Sequence, residues 1–117
     1  MTHGSCRHDG PQLTIIAEHD GRCSVLKLLG ELDLCSADDL RRAVGSVLDH
    51  HDPHRLTLDL SALTFADCAG LSGLVWARNR LAERGHELVI TGSQPLVRRL
   101  LALTGLATYL GLTATSR

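Results

Sequence analysis

The sequence predicts an α/β fold, a mixed sheet of four to five strands carrying three or more helices mainly on one face, and three observations lead there. Strand-like and helix-like periodicities alternate along the chain in the order strand, strand, helix, strand, helix, strand, helix. The first two strand-like runs are joined through Asp20-Gly21, a dipeptide suited to a tight hairpin because glycine accepts a positive φ. Each later strand is reached through a helix, and such a step is a right-handed crossover between parallel strands. One antiparallel hairpin followed by crossovers makes the sheet mixed.

Residues 1 to 10, MTHGSCRHDG, are polar and read as a flexible tail, with one domain over 11–117. Leu13 to Glu18 and Cys23 to Leu29 form the hairpin strands. Ser36 then offers a side-chain oxygen to the free amides of a helix with Asp38 and Asp39 in its first turn. Leu40, Ala43, Val44, Val47 and Leu48 recur on one face of that helix. RLTLDL alternates strictly, sending Leu56, Leu58 and Leu60 to one side of a strand and Thr57 and Asp59 to the other. A second helix is predicted from about Cys68 to Arg84, with Leu71, Leu74, Val75, Leu81 and Ala82 inward and Gly85 as its stop. Glu87 to Thr91 is a short strand. A third helix takes Ser93 as cap and Pro95 in its first turn, and ends before Gly105. Its Leu96, Leu100, Leu101 and Leu103 are expected inside, with Arg98 and Arg99 outside.

At 117 residues the chain buries enough surface to hold a core without disulfide or metal. Twelve lysines and arginines against 13 acids give a net charge of −1, which supplies no general attraction for nucleic acid or an anionic membrane. One Phe, one Trp and one Tyr make no stacking platform for single-stranded nucleic acid. Apolar runs fall short of the roughly 20 residues of a membrane span, and the start is no secretory signal. The spacing of Cys6, Cys23, Cys35 and Cys68 matches no metal knuckle, so they are expected as small buried hydrophobes in a reducing cytoplasm.

Catalysis finds little support. A nucleophilic Cys68 needs a base beside it, and none of His3, His8, His19, His50, His51, His54 and His86 is predicted there. HHDPH, residues 50–54, has a metal-like composition but falls in a proline-broken turn, expected to be solvated. No phosphate-binding glycine loop is present, so no enzyme, cofactor or metal is expected. What remains is FADCAGL, residues 65–71, at a strand-to-helix junction. The first turn of that helix leaves amides free to hold an anion, while Asp67 either caps the helix or meets a partner.

LLGELD (28–33), LDLSALTFADCAGL (58–71) and PLVRRLLALTGL (95–106) closely resemble the anti-sigma factor antagonists of the STAS domain family, shared with sulphate-transporter tails. The resemblance runs from about Leu13 to Leu112 and makes 11–117 a single STAS domain. It implies a binding protein whose partner is an anti-sigma factor with a serine-kinase fold; docking frees a sigma factor, and phosphorylation breaks the complex. The family pattern at the junction is Asp-Ser-Ser-Gly-Leu with the first serine phosphorylated. Asp67 matches the aspartate, Cys68 the acceptor serine, Ala69 the second serine, and Gly70 and Leu71 themselves. The resemblance thus implies a phosphoswitch whose hydroxyl has become a thiol. The expected docking surface joins Asp67, Cys68, Ala69, Gly70 and Leu71 to the end of the Gly30–Asp33 segment, where Glu31 and Asp33 supply charge, unless Asp33 helps to cap the first helix. A redox sensor acting through Cys68, or a scaffolding STAS module, is the alternative; Ser72, one turn on, reads as an ordinary helix residue.

Overall fold

The structure, a computed structural model, describes residues 13–92 and 94–103. Its elements are β1 (Thr14–Asp20), β2 (Cys23–Leu32), α1 (Ala37–His50), β3 (Arg55–Ala66), α2 (Cys68–Glu83), β4 (Glu87–Thr91) and α3 (Pro95–Leu103). They form one four-stranded sheet in the spatial order β1-β2-β3-β4. β1 runs antiparallel to β2, and β2, β3 and β4 are parallel to their neighbours. The mixed sheet with three helices is the predicted class. Gly21, at φ +63°, makes the hairpin turn as expected.

Leucine builds the core. Leu26 and Leu28 of β2, Leu56, Leu58 and Leu60 of β3 and Ile90 of β4 face a single cluster. Leu40, Val44, Val47 and Leu48 of α1, Leu71, Leu74, Ala77 and Leu81 of α2, and Val97 and Leu101 of α3 close it, so the three helices share one face of the sheet. Alternation sends Lys27, Thr57 and Asp59 to the other face, where Lys27 pairs with Glu18 at 3.4 Å.

β3 runs six residues beyond the predicted RLTLDL because its period changes. Between the pairs Lys27–Asp59 and Leu29–Ala62 it advances three residues against two of β2. Between Gly30–Leu63 and Glu31–Phe65 it advances two against one. Each step is a bulge that inserts one residue, so the inward positions after Leu60 are Leu63 and Ala66, three apart instead of two. Gly30 sits at the second bulge with φ +108°, a conformation that favours glycine.

Other expectations are corrected. Ser36 makes no side-chain cap; its backbone is helical already (φ −99°, ψ −6°), which turns the hydroxyl back into the preceding loop. Asp33 supplies the stabilising oxygen instead, Oδ1 accepting from the backbone N–H groups of Cys35 and Ser36, both at 3.0 Å. Ala82 is exposed, and Ala77, Gly70 and Gly73 fill the inner face of α2. Cys23 and Cys68 are exposed free thiols and Cys35 is half-buried, so they are not core residues. Gly85 ends α2 as expected, at φ +74°, its N–H bonded to the Ala82 carbonyl at 3.0 Å while His86 N–H reaches that of Leu81 at 2.8 Å. On α3, Leu101 is buried and Arg98 and Arg99 are exposed, with Val97 as an additional inward residue. Ser93, the side chains of Leu96, Leu100 and Leu103, Cys6 and the tail lie outside the described residues.

Candidate functional site

The carboxyl ends of β2 and β3 hand over to α1 and α2 at the same end of the sheet. Asp67 leaves β3 in extended geometry (φ −117°, ψ −176°), and its Oδ1 accepts the N–H of Gly70 at 2.8 Å. This fills one of the amides that a helix start leaves free and places a negative charge at the positive end of α2. Leu71 N–H closes the first turn on the Asp67 carbonyl at 2.9 Å, and Asp67 N–H bonds the Leu32 carbonyl at 3.2 Å. The turn is thereby tied to the last residue of β2.

Gly70 explains how close the two segments come. A Cβ there would stand 2.1 Å from the Leu32 carbonyl oxygen and 2.7 Å from its carbon. Only glycine fits without moving backbone. Gly70 and Leu71 are buried and hold the turn from beneath. Cys68 is exposed at the first position of α2, Ala69 is half-buried beside it, and the Ser72 hydroxyl, exposed, donates to the Ala69 carbonyl at 2.8 Å.

Across from the turn, the loop after β2 is cross-linked. Ser36 Oγ accepts from Asp33 N–H at 2.9 Å and donates to the Glu31 carbonyl at 2.8 Å. Asp33 and Asp67 therefore both have local structural work, as well as charge. Glu31 and Asp33 are half-buried, and Glu31 pairs with Phe65 in the sheet register. The structure brings Glu31, Asp33, Asp67, Cys68 and Ala69 to one end of the sheet, as predicted. Among the described residues, none of these carboxylates has a cation within ion-pair distance.

Two residues at this end escaped the sequence reading. Leu34 is 70% exposed and Phe65 40% exposed. The available signal was an apolar residue out of helical phase in the turn ELDLCS; for Phe65 the bulges of β3 hid it.

The described histidines lie at the opposite end. His19 is the penultimate residue of β1, His50 closes α1, His54 precedes β3 and His86 precedes β4. The rings of His19 and His51 stack with centroids 3.5 Å apart. His86 Nε2 meets Asp52 Oδ1 at 3.0 Å, which, aided by Arg84, holds the Asp52 carboxyl below its ordinary value. No described histidine stands beside Cys68, and the described residues contain no group of three or more ligands suited to a metal. The HHDPH turn is solvated as expected, with His50, His51, Asp52 and His54 exposed, and it is also tied to β1 through His19 and to the segment after α2 through Arg84 and His86. No described helix is long and apolar enough to cross a membrane.

Comparison with known proteins gives a consistent set of likenesses. The family model described as Mlab, STAS domain, matches residues 15–113. An anti-sigma F factor antagonist of Paenibacillus polymyxa is 29% identical over 94 residues, 80% of this chain and 80% of that protein. The anti-sigma-F factor antagonist RsfB of Mycobacterium tuberculosis is 35% identical over 92 residues, 78% of this chain and 72% of its own. Among solved structures, an anti-sigma factor antagonist from Mycobacterium paratuberculosis matches with a TM-score of 0.73 at 33% identity, covering 89% of this chain and 87% of that one.

Proposed function

The chain belongs to the STAS domain family, and from that premise we propose that it is a cytoplasmic anti-sigma factor antagonist that works by reversible docking and performs no catalysis of its own. The partner is an anti-sigma factor of serine-kinase fold, which on docking releases a sigma factor. The names of its relatives support the antagonist role. The observation that carries the finer reading is Cys68: an exposed thiol at the first position of α2, on a turn held rigid by Asp67 and Gly70, where the resemblance places a phosphorylated serine.

A neutral thiol differs from a hydroxyl by one atom and adds no charge. A phosphoserine there would add nearly two negative charges beside Asp67, Glu31 and Asp33, and self-repulsion together with desolvation would oppose docking. Cys68 therefore keeps the surface in its binding-competent form, and the thiol is a poor phosphoryl acceptor.

The test is intact mass and affinity after incubating the chain, with ATP and magnesium, with each purified anti-sigma factor encoded in the same genome. The natural chain is expected to bind one of them and gain no mass, and Cys68→Ser to gain a single phosphate from the active kinase. Cys68→Asp should bind more weakly than the natural chain. A natural chain that binds none of these proteins defeats the antagonist role. Phosphate on its Ser72 or Thr64 defeats the constitutive form alone.

A further inference from the structure

We infer that Leu34 and Phe65 are the apolar anchors of the docking face, and that the partner receives them in an apolar pocket edged by arginine or lysine side chains. The inference rests on the antagonist role proposed above and adds what the partner's surface must be.

Three large apolar side chains are well exposed among the described residues: Ile16, Leu34 and Phe65. Ile16 lies midway along the edge strand β1, paired with Lys27. The other two stand at the end that carries Cys68. Leu34 follows Leu32 by two residues and Phe65 precedes Asp67 by two, and Leu32 and Asp67 are joined by a backbone hydrogen bond of 3.2 Å. Neither side chain is free to fold inward. The loop carrying Leu34 is fixed by the bonds of Asp33 and Ser36 on either side of it. Phe65 is held outward by register, since the second bulge of β3 gives the inward places to Leu63 and Ala66. An aromatic and a leucine displayed on fixed backbone are side chains that lose little freedom when a partner covers them.

Charge chooses the occupant. Glu31, Asp33 and Asp67 flank the two apolar groups without a described cation, whereas Asp38 and Asp39 on α1 are each paired with an arginine three residues on. A face with three carboxylates that have no described cation partner repels nucleic acid and anionic lipid. A second copy meeting it about a two-fold axis would set the same carboxylates against one another. A protein with a basic rim is complementary, and its attraction steers association at low salt.

The test uses isothermal titration of the full chain into each purified anti-sigma factor of the same genome, at low and high salt. Leu34→Ala and Phe65→Ala should each raise Kd about tenfold or more without lowering the melting temperature, and Ile16→Ala should leave Kd unchanged. Glu31→Gln should raise Kd at low salt and reduce its salt dependence. If the natural chain binds while both apolar variants bind equally well, the anchors are refuted and the antagonist role stands. If the natural chain binds none, that role fails and this inference with it. A homodimer that dissociates on Leu34→Ala would assign the patch to a second copy and overturn the inference.

Discussion

Gly70 is the residue on which the site depends most, because its neighbour is backbone and backbone cannot step aside. A methyl group there would approach the Leu32 carbonyl to 2.1 Å, far inside contact distance. Gly70→Ala is therefore expected to lower unfolding free energy by about 1–3 kcal/mol, the usual cost of overpacking, in urea titration. Should it melt with the natural chain, the close approach is not as described. Asp67 was legible in the sequence as a possible cap, since Asp before a helix has one local use, and the capping bond bears that out. Ser36 was not, because serine and Asp33 compete for the same amides and only the loop's path decides which of them bonds. The exposure of Cys23 and Cys68 was equally hidden: cysteine follows apolar residues in burial only on average.

At the scale of elements, α1, α2 and β4 followed from periodicity, and the far half of β3 did not. Sequence shows period-two alternation only while the strand keeps step with its neighbour, and SALTFA loses that alternation at the two bulges. The ends of α1 and α2 are joined through a contact no pattern announces. Asp52, just past α1 with φ +42°, accepts from His86, just past α2. Its folded pKa is lowered relative to 3.8, first by the His86 hydrogen bond, so its stabilising effect is fully present above that value and is lost as pH falls through the lower folded one. Asp52→Asn should accordingly be less stable near neutral pH, and its urea midpoint should fall less steeply than that of the natural chain below about pH 4. Parallel curves for the two proteins would show that the pair contributes nothing.

The whole molecule has two unlike ends. Carboxylates, a thiol and exposed apolar groups gather where the parallel strands finish; His19, His50, His51, His54 and His86 gather where they start. This polarity was only half legible, because histidines scattered over 68 positions come together only once strand order is known. In amide NMR spectra of His51→Ala, which removes the ring stacked on His19, shift changes should concentrate at the histidine end and leave residues 30–33 and 67–71 in place. Large movement of the Cys68 and Gly70 amides would mean that the ends communicate. The contact of Gly70 with Leu32 has a further consequence for kinetics. Loops that must freeze on binding lose entropy in the encounter and often associate in two phases, the slower one set by the rate of ordering. Here the backbone of the turn is wedged against the sheet before any partner arrives. On the proposed docking through this surface, association is expected to be a single-phase event, with differences in affinity left to the lifetime of the complex.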